Sequence, residues 1–169
     1  MTLIISPLRD VETVVRFRRP SHLITLLDPH LIREAPRFFP DRHLKLAVDD
    51  IWETVVGKVL PSADHVDRIL DFGSSWSGDT PLLVHCFAGV SRSTATAFIL
   101  ACAHNPEVPE ADIAQALRRV SGSATPNPLM IQLADDMLAR KGRMVDAINA
   151  IGQGVYSYPG APFELTFRR

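Results

Sequence analysis

One of the two cysteines of this 169-residue sequence lies in a segment whose residue types could perform nucleophilic chemistry. Cys86 ends the run "PLLVHC", and Arg92 follows six positions later, after the mostly small residues of "FAGVS". If this loop joins a strand to a helix that begins near Ser91, its backbone N–H groups can converge on an anion, and the helix adds its positive end. Gly89 would let the backbone curl tightly and approach a ligand closely. The segment therefore predicts a cradle for a tetrahedral dianion such as phosphate.

Cys86 and Arg92 have complementary roles in such a cradle. The guanidinium of Arg92 is a permanently charged planar fork that matches two oxygens of a phosphate. The loop N–H groups and the positive end of the helix also favour the thiolate form of Cys86. This thiolate would lie in line with the phosphorus and accept the phosphoryl group. We expect His85 to hold the loop by hydrogen bonds and Ser93 to donate to the departing sulfur. The alternative is that Cys86 is an ordinary buried small residue, as most unpaired intracellular cysteines are.

The flanking patterns predict the elements that position this loop. The wholly apolar "PLLV" suits a central strand that is buried on both faces. The apolar and small residues from about 91 to 103 predict a buried helix. Upstream, "LIIS", "HLITLL" and "LKLAV" are short strand candidates, and "SADHVDRILDFGSSW" predicts a helix that is capped by Ser62 and closed by Gly73.

Helical patterns dominate the second half of the sequence. Helices are predicted in "PEADIAQALRRVS" and in "NPLMIQLADDMLARKG", the second of which would stop at Gly142. "RMVDAINAIG" continues the helical pattern, and "PFELTF" is either a terminal strand or part of an ordered tail. Early strands, late helices and a central strand that leads into a buried helix predict an α/β fold. The length predicts a single domain over residues 1–169. A C-terminal tail from about residue 150 is expected either to cover part of the site or to pack on the body.

Composition and charge exclude several classes of function. The net charge of −1 and the pI of about 6.6 give the whole molecule little attraction for nucleic acid or for an anionic membrane. Two cysteines do not make a disulfide scaffold, and no paired Cys/His spacing predicts a metal site. The sequence begins without signal-peptide features and contains no run long enough to cross a bilayer. We therefore expect a reducing, cytoplasmic setting, with no metal and no membrane partner.

The segment "HCFAGVSRS" resembles the H-C-x5-R-S/T signature of the cysteine-dependent protein tyrosine phosphatases, and its "AGVSRS" form is most similar to their compact dual-specificity branch. The resemblance implies a central, mostly parallel mixed sheet flanked by helices. It also implies that Cys86 forms a phosphocysteine intermediate, without a cofactor, while an aspartic acid on another loop protonates the leaving oxygen and later activates water. The implied phosphate-binding residues are Phe87, Ala88, Gly89, Val90, Ser91 and Arg92.

The resemblance also implies where the aspartic acid and a supporting residue lie. The family's acid follows a short upstream strand, and in "LKLAVDDIWE" this position corresponds to Asp50, with Asp49 as the other candidate. "TPNPLMIQL" is similar to the segment that begins the last helix of dual-specificity phosphatases, where Asn127 would steady the phosphate loop. An N-cap on a core helix explains Asn127 almost as well. The second cysteine, Cys102, is expected to pack in the core, because helical spacing carries it too far from Cys86 for a disulfide.

The loop composition bears on the class of substrate. Residues 87–91 contain no lysine, whereas members that resemble lipid phosphatases place basic residues there for the extra phosphates of inositides. No insertion indicates the deep slot that is specific for phosphotyrosine. We therefore expect a phosphorylated protein as substrate, with phosphotyrosine first and phosphoserine or phosphothreonine as further candidates. The alternatives are an RNA 5′-triphosphatase, a non-catalytic phosphate-binding pseudophosphatase and a rhodanese-like sulfur carrier.

Overall fold

The computed structural model describes residues 1–36 and 42–167, in which five strands form one sheet. In chain order the strands are β1 (Thr2–Pro7), β2 (His22–Leu27), β3 (His43–Ala47), β4 (Leu82–Cys86) and β5 (Phe163–Thr166). Their spatial order is β3-β2-β4-β1-β5, and only the β1–β5 pair is antiparallel. The predicted α/β class and the mostly parallel mixed sheet are therefore confirmed.

Six α-helices accompany this sheet within the described residues. They are α1 (Val11–Arg18), α2 (Ala63–Ser74), α3 (Arg92–His104), α4 (Glu110–Val120), α5 (Pro128–Met137) and α6 (Arg143–Ile151). No helix in these parts of the chain is long and apolar enough to cross a bilayer.

Strand β4 occupies the middle of the sheet, as its apolar sequence predicts. It pairs in parallel with β1 on one side and β2 on the other, and all five of its residues are buried. Strand β3 continues the parallel order beyond β2. Because the carboxyl ends of parallel strands meet at one edge of a sheet, the segments that follow β2, β3 and β4 come together there. This edge holds the candidate site.

Helix α3 is the buried helix that the sequence predicts. Every residue from Arg92 to Cys102 is buried, because α3 packs against the sheet and against α2, α4 and α5. Small residues such as Ala95, Ala97 and Ala101 allow this close approach on several sides. Cys102 belongs to this core, and burial raises the pKa of its thiol to about 12.

Two predicted helix ends differ from the structure. Ser62 does cap α2, but Gly73 does not close the helix, which continues to Ser74. A Cβ added at Gly73 would lie 2.4 Å from Cδ2 of Leu100, so the glycine serves close packing of α2 on α3.

The second difference concerns the run from Asn127 to Gly142, which is not one helix. Helix α5 ends at Met137, and Gly142 precedes α6 in a left-handed conformation. The carboxylate of Asp135, a residue of α5, accepts hydrogen bonds from the backbone N–H groups of Gly142 (2.6 Å) and Met144 (2.7 Å). It thereby caps the N-terminal end of α6.

Candidate active site

The loop between β4 and α3 winds around the sulfur of Cys86. The cysteine is only 2% exposed, and its Sγ accepts a hydrogen bond from the backbone N–H of Gly89 (3.2 Å). Gly89 has a φ of +71°, and a Cβ there would lie 2.6 Å from the backbone nitrogen of Pro7. A side chain at this position would therefore push the loop away from β1. The tight curl that the sequence predicts depends on this glycine.

Ser93 contacts the cysteine, whereas His85 contacts a neighbouring strand. The Oγ of Ser93 lies 3.2 Å from Sγ of Cys86, where the hydroxyl can donate to the sulfur. The imidazole of His85 instead lies 2.6 Å, Nε2 to Oγ1, from Thr25 on β2. Burial lowers the pKa of His85 to about 4, so the ring is neutral at physiological pH. His85 thus fastens the end of β4 to its neighbouring strand.

The guanidinium of Arg92 is oriented by groups that follow two other strands. Its Nη1 donates to the carbonyl oxygen of Val48 (2.6 Å) and to the carboxylate of Asp28 (2.5 Å). Arg92 is 4% exposed, and its buried Nε has no hydrogen-bond partner among the described residues. Buried polar groups are nearly always paired, so an unpaired donor on a charged fork is suited to an anionic ligand.

Asp50 and Asp49 are neighbours in sequence with different surroundings. Asp50 is exposed, and its Oδ1 accepts hydrogen bonds from Ser91 Oγ (2.6 Å) and Asn127 Nδ2 (3.0 Å). Asp49 is 2% exposed and accepts from Lys58 Nζ (2.9 Å) and from the backbone N–H of Val59 (2.7 Å). Burial opposes ionisation of Asp49, but the hydrogen bonds from Val59 and Lys58 outweigh it and lower its pKa.

Asn127 connects the start of α5 to the segment that carries Asp50. Its Oδ1 caps α5 by accepting from the backbone N–H groups of Leu129 and Met130, while its Nδ2 donates to Asp50 and to the carbonyl oxygen of Ile51. The N-cap that the sequence left as one alternative is thus present, but the amide of Asn127 makes a different contact from the one that the resemblance implied. The contact reaches the aspartate segment, and the phosphate loop is held from this side by Thr125, whose N–H donates to the oxygen of Val90 (3.0 Å).

Several of these residues line a cavity of about 320 Å³. Its charged lining residues are two cations, Arg92 and Lys58, and three carboxylates, which belong to Asp28, Asp49 and Asp50. Its other lining residues are Leu31, Ile51, Cys86, Phe87, Ala88 and Tyr158. The thiol, the guanidinium and the exposed carboxylate therefore face one small cavity.

Four of these lining residues belong to none of the sequence motifs: Asp28, Leu31, Lys58 and Tyr158. Asp28 follows β2 directly, and a carboxylate at the carboxyl end of a parallel strand is a signal that could have identified it. Tyr158 lies in a segment without periodicity, far along the chain from the loop, so the sequence contains no comparable signal for it.

Comparison with known proteins finds similar folds among solved structures. No family model matches the sequence, and no curated protein matches it. Among solved structures, the human tyrosine phosphatase-like serine/threonine/tyrosine-interacting protein is 16% identical, with a TM-score of 0.62 over 82% of this chain and 92% of its own. Human DUSP28 is 18% identical, with a TM-score of 0.59 over 82% and 92%.

PTPMT1, in a structure with PI(5)P, is 15% identical, with a TM-score of 0.57 over 82% of this chain and 94% of its own. At these identities the similarity concerns the fold. The chain has the α/β fold of the compact dual-specificity and protein tyrosine phosphatases.

Proposed function

We propose that this chain is a cysteine-dependent phosphatase that hydrolyses phosphomonoesters through a phosphocysteine intermediate. Its main substrate would be phosphotyrosine in a protein. The observation that carries the proposal is the position of the buried thiol of Cys86 in the same cavity as a buried, partly unpaired guanidinium and the exposed carboxylate of Asp50. The phosphatase fold supports it independently.

In the first step the thiolate of Cys86 attacks the phosphorus, and the bond from phosphorus to the leaving oxygen breaks. Asp50, protonated at this stage, gives its proton to that oxygen. Arg92 and the backbone N–H groups of residues 87–92 hold the three remaining phosphoryl oxygens, whose charge is stabilised in the transition state. The products are an alcohol or phenol and phosphocysteine.

In the second step the carboxylate of Asp50 takes a proton from water, and the water oxygen attacks the phosphorus. The S–P bond breaks, and inorganic phosphate leaves. The hydroxyl of Ser93, 3.2 Å from Sγ, donates a hydrogen bond to the thiolate that forms. Asp50 ends the cycle protonated, ready for the next substrate.

The surroundings of the two aspartates support Asp50 as the acid and base. Asp50 contacts the phosphate loop through Ser91 and is open to the cavity. Asp49 is fixed by Lys58 and Val59, and its lowered pKa keeps it ionised, so it is a poor proton donor near neutral pH. We therefore assign Asp49 to holding the aspartate segment in place.

The charges of the cavity favour a substrate with one phosphate. Both lining cations are paired with carboxylates, Arg92 with Asp28 and Lys58 with Asp49. Extra phosphates of an inositide or an RNA 5′-triphosphate would meet three carboxylates and no free cation among these lining residues. PTPMT1 has been observed with PI(5)P, but these charges argue against that ligand class here and favour a phosphorylated protein.

The test is hydrolysis of para-nitrophenyl phosphate in excess EDTA by the wild type, Cys86→Ser and Asp50→Ala. A suitable control is Glu53→Gln, since Glu53 is an exposed carboxylate three positions from Asp50 that does not line the cavity. We expect activity with EDTA, none in Cys86→Ser, and a loss of about 10²–10⁴-fold in Asp50→Ala. Full activity in Cys86→Ser would overturn the proposal. Phosphate binding without activity in the wild type would indicate a pseudophosphatase, and thiosulfate sulfurtransferase activity would indicate the rhodanese-like alternative.

A further inference from the structure

The segment between α6 and β5, residues 152–162, crosses the phosphate loop and is called the C-terminal strap below. The backbone N–H of Gly160 donates to the carbonyl oxygen of Ala88 (2.9 Å) within the loop. A Cβ at Gly160 would lie 3.3 Å from that oxygen and 3.3 Å from Cγ2 of Val90. The strap therefore rests directly on the phosphate loop at this point.

The strap is also fastened at its beginning. The N–H of Val155 donates to the carbonyl oxygen of Gly122 (2.9 Å), and the N–H of Gly154 donates to Oγ1 of Thr125 (3.1 Å). These bonds hold the strap by its backbone on both sides of Tyr158. The ring of Tyr158 is consequently not needed to keep the strap in place.

Tyr158 is the strap residue that lines the cavity with Cys86 and Arg92. Its ring centroid lies 6.1 Å from that of Phe87, at an interplanar angle of 32°. The Tyr158 residue is 61% exposed, so its apolar surface is largely uncovered. Together the two rings form an aromatic wall at a cavity whose remaining apolar lining includes Leu31 and Ile51.

We propose that Tyr158 is a specificity residue that packs against the aromatic ring of the substrate and so selects aryl over alkyl phosphates. This inference rests on the proposed function and narrows it to phosphotyrosine. A phenyl ring attached to the phosphate oxygen can cover the exposed face of Tyr158 and gain an aromatic contact. The short aliphatic arm of phosphoserine offers the wall almost no surface, so its phosphate is held by the loop alone.

The wall fits a single aryl group better than a second anionic group. Phe87, Tyr158, Leu31 and Ile51 contribute no positive charge. The exposed charged residues of the lining are Asp50 and Lys58, and the ammonium of Lys58 is paired with Asp49. A neutral, flat and apolar substituent next to the phosphate satisfies this surface without an uncompensated charge.

The test measures dissociation constants by calorimetry for methylphosphonate, phenylphosphonate and inorganic phosphate. The variants are Tyr158→Ala, Tyr158→Phe and Tyr158→Leu, and the matched control is Tyr156→Ala. Tyr156 is an equally aromatic strap residue, 88% exposed, that lines a neighbouring groove and not this cavity.

We expect the wild type to bind phenylphosphonate about tenfold more tightly than methylphosphonate. Tyr158→Ala should remove this preference, Tyr158→Phe should keep it, and Tyr158→Leu should give an intermediate value. Binding of inorganic phosphate should stay unchanged in all variants, which also shows that the strap and loop are intact. Tyr156→Ala should behave as the wild type does. A phenyl preference that survives in Tyr158→Ala, or that is absent from the wild type, would overturn the inference.

The same measurements separate this inference from the proposed function. If the wild type binds none of the three oxyanions, the phosphatase proposal itself is wrong. If inorganic phosphate binds and para-nitrophenyl phosphate is hydrolysed but Tyr158 has no effect on phenylphosphonate, only the assignment of Tyr158 fails.

Discussion

The side-chain amide of Asn127 donates to the carboxylate of Asp50 over 3.0 Å, although the two residues lie 77 positions apart in the sequence. The same side chain caps α5 through its oxygen. Asn127 thus joins two tasks in one residue, because its acceptor starts a helix and its donor orients the proposed acid. Substitutions that remove only one of these groups can separate the two tasks.

For Asn127 we compare Asn127→Ala with Asn127→Asp. Asn127→Ala should destabilise the fold by about 1 kcal/mol through loss of the cap, and should lower kcat because Asp50 loses a donor. Asn127→Asp keeps an acceptor for the cap but sets a second carboxylate against Asp50. It should therefore lower kcat by about tenfold or more, and any loss of stability reports the lost amide donor and the second carboxylate, because the cap is kept. Thermal unfolding and steady-state kinetics measure the two effects. An unchanged kcat in both variants would show that Asn127 serves α5 alone.

Asp28 should matter because it orients the guanidinium of Arg92 through a 2.5 Å contact. In Asp28→Ala the fork loses this partner, and we expect kcat/KM to fall by about 10²-fold, the usual scale for one misplaced anion-binding donor. Asp28→Asn retains an oxygen acceptor at the same place and should retain most of the activity. Parallel kinetics with para-nitrophenyl phosphate decide the matter. Equal losses in the two variants would mean that the charge of Asp28, and not its acceptor, positions Arg92.

Gly89 should tolerate no side chain. Its φ is +71°, and a Cβ would lie 2.6 Å from the nitrogen of Pro7 and 2.8 Å from the carbonyl carbon of Ser6, both backbone atoms that cannot swing aside. We expect Gly89→Ala to destabilise the protein by about 1–3 kcal/mol and to abolish activity. Gly122→Ala is the control, because a Cβ there would meet no atom of the described residues within 4 Å apart from its chain neighbours. Denaturant unfolding of both variants is the measurement, and a fully active Gly89→Ala would contradict the described loop.

The stability of the fold should fall between pH 7 and pH 5, in part through His85. Burial lowers its pKa from 6.5 to about 4, so over this range the unfolded chain binds the proton more readily than the folded one. Acidification therefore favours unfolding, by about 2 kcal/mol between these two pH values for this group. Burial also lowers the pKa of His22 and of His65, which act in the same direction.

A His85→Gln variant isolates the contribution of His85 to this pH dependence of the stability. Glutamine can still form a hydrogen bond with Thr25 but does not titrate, so the variant should lose less stability than the wild type between pH 7 and pH 5. Chemical denaturation at the two pH values gives the comparison. The same pH dependence in both proteins would mean that groups other than His85 cause the loss of stability.

The sequence predicted the parts of the site that are contiguous in the chain. Cys86, the loop and Arg92 are set by one strand–loop–helix unit, whose apolar strand and small-residue helix fix where the turn must occur. The resemblance implied Asp50 as the acid, with Asp49 as the other candidate. The contacts that hold Asp49 could not be predicted, because Lys58 and Val59 reach it from a loop without periodicity.

Contacts made across the fold were harder to predict. Tyr158 reaches the cavity only because β5 returns antiparallel to β1 and the strap must cross the loop on its way. Similarly, Gly142 was interpreted as a helix stop because glycine commonly ends helices. In the structure the carboxylate of Asp135 accepts hydrogen bonds from the N–H groups of Gly142 and Met144. These bonds cap the start of α6, so Gly142 precedes a helix and does not end one.

The strap has a consequence for how the site is assembled. The loop that carries the signature is short, but its supports come from distant parts of the chain: Leu8 donates to the oxygen of Phe87, and Gly160 donates to the oxygen of Ala88. Each of these contacts joins residues that are far apart in the sequence. Forming it therefore costs loop-closure entropy that a contact between adjacent residues would not cost. The fragment from 81 to 104 contains every letter of the signature and neither of these supports. The proposed chemistry is predictable from a few adjacent residues. The shape of the loop, however, depends on contacts between residues that are far apart in the sequence.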